Sequence, residues 1–217
     1  MKTNIYLSTL AIFSAFSIEA QVTLTQSNHA PVIGDNNPPP TGRTLFNSII
    51  PTLNITGNGV TWDFTNKLAS NTNTLVNVFV DPTTLAGSSI YIAAGCNVAL
   101  QDSDFYKSSS TKLEYLGDIS PDGEIFDLTP NPVTFMQYPF SYGSSFTDVT
   151  SGTMTFPGGS FNLTGTINVV ADGQGTLILP SNPTIVHNNV LRVKSTSTLL
   201  IQGNREFIHC YRNTNDD

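Results

Sequence analysis

Charge is scarce in this sequence. Of its 217 residues only 12% are Asp, Glu, Lys or Arg, about half the roughly 25% usual in soluble domains. Basic residues are the scarcest, nine against 16 acids, for a formal charge of −7. That balance excludes a nucleic-acid partner, which requires Lys and Arg to displace phosphate counterions. Histidine is almost as rare. His29, His187 and His209 lie in ordinary contexts and no Gly-x-Ser-x-Gly elbow occurs, so a Ser-His-acid hydrolase finds no support. The two cysteines, Cys96 and Cys210, have no zinc-ligand spacing around them. As a pair in an oxidising compartment they form either a disulfide or two unlinked buried thiols, since sequence does not set the distance between their Cα atoms. Long apolar runs are missing after the first twenty residues, and no membrane-spanning segment is expected beyond them.

Those first twenty residues carry an address. Lys2 precedes an apolar stretch from Ile5 to Ile18, followed by Ser17-Ile18-Glu19-Ala20 and then Gln21. The run is too short to span a bilayer and ends in small residues, which predicts a secretory signal peptide over 1–20 cleaved between Ala20 and Gln21. Its removal takes one acid, Glu19, and one base, Lys2, so the exported chain keeps the charge of −7. The expected location is extracellular or at the cell surface, with the periplasm as the alternative.

What the sequence has instead of charge is hydroxyls and amides: Ser, Thr and Asn number 70. Strand signals recur at 22–26, 60–64, 75–80, 89–93, 112–116, 124–128, 146–156, 163–170, 176–179, 190–200 and 206–211. Most alternate apolar with polar residues, as in Thr166-Ile167-Asn168-Val169, the period of a sheet with one buried face. Turn formers separate them: Asn58-Gly59, Pro121-Asp122-Gly123, Pro157-Gly158-Gly159, Asp172-Gly173 and Gly203-Asn204. Only Thr41 to Ile50 has the pattern of a short helix. The expected fold is all-β, an antiparallel β-sandwich or partly open barrel with no substantial helix after the signal peptide. Residues 21–217 read as one such domain, with a sub-boundary near Thr129-Pro130-Asn131-Pro132.

Candidate chemistry is thin. Asp102 and Asp104, with Asp122 and Glu124, concentrate oxygen ligands that structural calcium would use, but Pro121-Asp122-Gly123 reads better as a hairpin turn and no cofactor is expected. Asp63, Glu114 and Asp148 are the acids from which a glycosidase carboxylate pair would be drawn, although nothing in their spacing singles them out. No residue is assigned a catalytic role. Aromatics cluster in Phe135 to Tyr142, and Trp62 sits on a strand with Phe64 on its own face and Asp63 on the other, the pattern of a core anchor.

Several segments together, Ala20 to Leu24, Gly59 to Phe64, Leu113 to Gly117, Tyr138 to Asp148, Ala171 to Leu177 and Asn189 to Lys194, are similar to the N-terminal β-rich region of secreted Bacteroidetes proteins. Many of those proteins are exported by type IX secretion. The resemblance implies an exported address and supplies no catalytic residues. No sorting domain of that system is evident before the polar tail Asn213 to Asp217, consistent with a short relative or with export that ends in the periplasm. The expectation is an exported, non-catalytic binding or adhesion module, its partner a glycan or surface polymer. The alternatives are a carbohydrate-active hydrolase with a carboxylate pair and a structural piece of a larger surface protein.

Overall fold

The computed structural model describes residues 21–37, 43–46, 55–66, 69–75, 77–85, 89, 97–99, 103–180, 184–202 and 205–207. Residues 1–20, Cys96, Asp102, His209 and Cys210 lie outside these, and with them the signal-peptide and disulfide readings. In chain order the first elements are β1 (Thr23–Leu24), α1 (Gln26–His29), β2 (Asn36–Asn37), β3 (Arg43–Phe46), β4 (Gly57–Asp63), β5 (Ala69–Leu75), β6 (Asn77–Val80) and β7 (Asn97–Ala99). The remainder are β8 (Asp104–Ser108), β9 (Lys112–Ile119), β10 (Ile125–Asn131), β11 (Val133–Gln137), β12 (Phe140–Ser141), β13 (Ser145–Phe156), β14 (Gly159–Ile178), β15 (Val186–Ile201) and β16 (Arg205–Phe207). The fold is all-β, as the alternation predicts. Where a helix was expected within Thr41 to Ile50, Arg43–Phe46 is a strand paired with β5. Pairing with a neighbour overrides a weak local preference there.

One twelve-stranded sheet dominates, in the order β16-β15-β14-β13-β10-β9-β8-β7-β6-β2, with β11 added to β9 and β4 added to β14. Among the described residues every pairing is antiparallel except β4 with β14, so the sheet is mixed rather than purely antiparallel. The topology is sandwich-like because strands distant in this order meet face to face. Leu113 of β9 and Met136 of β11 share a core with Ile167, Val169 and Ala171 of β14 and Val193 of β15. Burying an apolar side chain of this size contributes about 1.5–3 kcal/mol, and Met136 and Val169 are 1% and 2% exposed. A second cluster on the far face of β8 and β9 joins Phe105 and Leu116 to Val80 and Leu85. Strand β9 is thus covered on both sides.

Strand β14 runs through two positions that read as turn or break. Asp172-Gly173 does not reverse the chain: the strand continues to Ile178, with register shifts against β15 between Ala171 and Gly173 and between Gly175 and Leu177. The same correction applies to Asn58-Gly59, which lies inside β4 as a shift in its pairing with β14, Gly59 having φ +70. These glycines make room. The Trp62 ring lies against Gly173, and the β4 backbone at Val60 lies against Gly175. Trp62 is buried, its Nε1 donating to the Ile55 carbonyl at 3.0 Å, and Arg192 Nη1 donates to the same oxygen at 2.9 Å. The core reading of Trp62 is correct.

The bend that folds the sheet lies at Thr129 to Pro132. Strands β10 and β11 both follow β9, but only β10 pairs with β13. At the separation, side chains replace the ladder: Thr134 N donates to Asp148 Oδ2 at 2.6 Å, Asn131 Nδ2 to the Val149 carbonyl at 2.8 Å, and Thr150 Oγ1 to the Asn131 carbonyl at 2.7 Å. Pro130 and Pro132 have no N–H to lose here. Asp148 is therefore a structural acceptor. Its replacement by alanine is expected to cost about 1–3 kcal/mol, because the N–H of buried Thr134 loses its partner. Urea denaturation of the Asp148→Ala variant measures this, and an unchanged midpoint would contradict the assignment.

The segment from Gln21 to Ala30 straps one end of the sheet. Gln21 Nε2 donates to the Tyr142 carbonyl at 2.9 Å, Val22 N to Gln174 Oε1 at 3.2 Å, and β1 pairs with β12. His29 Nδ1 meets the Tyr138 hydroxyl at 2.8 Å. Burial lowers the His29 pKa from its ordinary 6.5 and raises that of Tyr138 to about 12, so both are neutral at pH 7 and the phenol can donate to the imidazole. With a folded pKa below the unfolded one, His29 contributes stability that is full above pH 6.5 and declines as pH falls from there toward the lowered value. The denaturation midpoint is expected to drop between pH 7.5 and 5, and less so in a His29→Gln variant. Equal drops in both proteins would remove His29 as the cause.

Candidate functional site

The peeling of β11 from β13 leaves a cavity of about 150 Å³ between the two packed faces of the sheet. One wall comes from β8 to β11. Alternation along β8 places Asp104 and Tyr106 on the cavity side and Phe105 in the opposite core. A register shift in β11 makes Phe135 an extra residue between the Thr134 and Met136 pairings, and both Phe135 and Met136 reach the cavity. The opposite wall is β15, whose inward positions are Val193, Ser195, Ser197 and Leu199, with Thr150 and Thr166 beside them from β13 and β14. Serine at 195 and 197, where valine and leucine continue the row on either side, leaves space that the facing rings do not fill.

The aromatic wall is an arc. Tyr106 lies between Phe135, at a ring-centroid distance of 6.2 Å and 75°, and Tyr115, at 5.5 Å and 51°; Tyr115 in turn meets Phe126 at 6.4 Å. These distances fall in the range of favourable edge and tilted ring contacts. The Tyr115 hydroxyl lies 2.6 Å from Asp118 Oδ2 and 3.4 Å from Asp104 Oδ1. A phenol has one proton to donate, and the shorter contact with Asp118 takes it. Among the described residues that line the cavity, Asp104 is the charged one.

Few of the residues singled out by sequence meet here. Of the calcium candidates, Asp104 lies on the cavity wall, while Asp122 is exposed at the β9–β10 turn, where Gly123 N donates to the Ser120 carbonyl at 3.0 Å and Glu124 N to Ser120 Oγ at 3.1 Å. Asp102 is outside the described residues. Among the described residues, no three of His, Cys, Asp and Glu converge where a metal ion would be held. The glycosidase candidates are dispersed. Asp63 is exposed and its pKa is lowered by the backbone N–H and hydroxyl of Thr65; Glu114 pairs with Lys112; Asp148 holds the β11 seam. His187 is exposed on β15 and His29 belongs to the strap. In the aromatic segment 135–142, Met136, Tyr138 and Phe140 are core and Phe135 faces the cavity. Sequence reading missed Tyr106, Phe126, Ser195 and Ser197 as a group because they come from three strands far apart in the chain. The one local signal was the pair of serines inside the otherwise apolar inward row Val193 to Leu199.

No family model, curated protein or solved structure matches the chain.

Proposed function

We propose that this chain is an exported, non-catalytic binding module that seats a ring-sized group of a glycan or surface polymer in the cleft between its packed sheet faces. The observation that carries the reading is the arc of Phe135, Tyr106, Tyr115 and Phe126 opposite the hydroxyls of Ser195 and Ser197. Sugar rings have apolar faces and hydroxyl edges, so a wall of rings with one carboxylate, facing a wall that carries hydroxyl residues, matches both. The cavity, about 150 Å³, is of the size that holds one benzene in another protein, so it takes at most part of one sugar ring. Export rests on the pattern of residues 1–20. Among the described residues no helix is long and apolar enough to cross a membrane.

The test is a glycan-array screen of the purified protein together with fractionation of the native cells. Binding to a subset of glycans and recovery in the envelope or medium are expected. Silence across the array or recovery only in the cytoplasm would overturn the respective half of the reading.

One observation favours the carboxylate-pair hydrolase as a second reading. Asp104 and Asp118 contact the same Tyr115 oxygen, so their nearest oxygens are no more than 6.0 Å apart, near the spacing of about 5–5.5 Å in retaining glycosidases. Both acids reach one phenol instead of facing each other across the cleft, which makes binding the better reading. Release of reducing sugar from an array-positive glycan would reverse that order.

A further inference from the structure

We infer that Asn58 is a site of spontaneous covalent modification, at which strand β4 converts itself through a cyclic imide into aspartate and isoaspartate. The only co-reactant is water. The backbone nitrogen of Gly59 attacks the side-chain carbonyl carbon of Asn58, and the side-chain nitrogen departs as ammonia, carrying away the proton that the backbone nitrogen gives up. Water then opens the imide at one of its two carbonyl carbons. Opening at the side-chain carbon leaves aspartate in a normal chain, and opening at the main-chain carbon leaves isoaspartate, whose chain runs through the side chain.

Asn58-Gly59 is the single Asn-Gly step in the sequence, and glycine is the residue that least hinders the attack because it has no Cβ. A regular strand holds its peptide groups in place, but the ladder lapses here. Asn58 pairs with Gln174 and Val60 with Gly175, so Gly59 is an extra residue with no counterpart on β14. Its φ of +70 departs from the strand conformation, both residues are exposed, and a Cβ at Gly59 would meet no atom within 4 Å. The imide therefore has room and water reaches it. Two Asp-Gly steps mark the contrast. At Asp172-Gly173 the Asp172 Oδ1 is buried and a Cβ on Gly173 would lie 2.7 Å from the Trp62 ring. At Asp122-Gly123 the Gly123 N–H donates to the Ser120 carbonyl at 3.0 Å, and a carboxylate is a poorer electrophile than an amide. The products differ in effect. Aspartate adds one negative charge to the chain's −7 at an exposed position. Isoaspartate adds a carbon to the main chain ahead of Val60 to Asp63, which are in register with Gly175 to Ile178, and Trp62 is seated in that stretch.

The experiment keeps the intact folded protein at pH 8 and follows each asparagine by peptide mapping with mass spectrometry. Asn58 is expected to exchange amide for acid at least tenfold faster than any other asparagine, with isoaspartate among the products, and Asn58→Gln should leave its peptide unchanged. The converted fraction, separated by its added charge on anion exchange, should show a lower urea midpoint and red-shifted Trp62 emission. Freshly purified Asn58→Asp, which carries the charge without the longer chain, should keep the parental midpoint. Conversion of Asn58 no faster than that of other asparagines overturns the site, as does conversion that is rapid in urea but not in the folded chain, since the strand then protects the step. Aspartate without isoaspartate overturns the imide route. A converted fraction as stable as Asn58→Asp overturns the loss of register.

Discussion

Replacing Gly152 with alanine is expected to destabilise the protein by about 3 kcal/mol, the upper part of the range for forcing atoms into a packed site. Gly152 lies in β13 where β10 arches over it: the pairing steps from Asp127 opposite Thr153 to Asn131 opposite Ser151, which leaves Leu128 to Pro130 against this one residue. The arch is fixed from within, since Asp127 Oδ1 accepts from Thr129 N at 2.8 Å and from Thr129 Oγ1 at 2.6 Å. A Cβ at position 152 would overlap the Asp127 carbonyl, with the Leu128 Cα only 3.0 Å away. These are backbone atoms, so no side-chain rotation relieves the clash. The strand would have to separate from β13, exposing Leu128, which is 1% exposed in the fold. Gly158 is the control. An added Cβ there meets only the Phe156 ring at 3.4 Å, and Gly158→Ala should stay within about 0.5 kcal/mol of the parent, as surface changes usually do. Urea denaturation followed by the fluorescence of the single tryptophan, Trp62, reads both variants. A Gly152→Ala midpoint equal to that of Gly158→Ala would show that the arch is not rigid.

That pinch also explains which parts of the fold can be read from sequence. Alternation identifies β15 and the first part of β14 because one face is buried and the other wet, as for Val193 against Lys194 or Ile167 against Asn168. It fails for β8, where Asp104, Phe105 and Tyr106 serve two different interiors, and for β11, where the extra residue Phe135 breaks the period. Glycine is the other source of error. Local rules treat Asn58-Gly59 and Asp172-Gly173 as punctuation, yet in β4 and β14 the glycines admit a neighbouring backbone or the Trp62 ring, information that resides in the partner strand. The candidate site shows the same limit. Asp104 is legible as an acid, but the residues beside it in the cavity, Tyr106, Tyr115, Phe135 and Ser197, lie up to 91 positions apart (197 − 106) and are gathered by the packing of one sheet face on another, which no local pattern encodes.

Filling the cleft from its hydroxyl wall is expected to abolish ligand binding and leave the fold intact. Ser197 stands on the inward row of β15, opposite Ile167 of β14, and lines the cavity of about 150 Å³. In Ser197→Phe the added phenyl ring is a group that a cavity of about that volume holds. Its burial contributes about 1.5–3 kcal/mol, which offsets the roughly 1 kcal/mol of polar interaction that a serine hydroxyl gives up. Phenylalanine also suits a strand and joins the existing arc of rings. The melting temperature should therefore stay at or slightly above that of the parent, while affinity for any glycan found on the array falls more than tenfold. Thr196→Phe provides the matched control, because Thr196 is the next residue of the same strand and points to solvent on the outer face. It adds the same ring and should leave affinity unchanged. Thermal melts establish that both variants fold, and titration of both with the array-positive glycan then separates the faces of β15. A folded Ser197→Phe protein with parental affinity would place the ligand outside the cleft, whereas loss of binding in Thr196→Phe alone would move the site to the exposed face that carries Thr196 and Leu200.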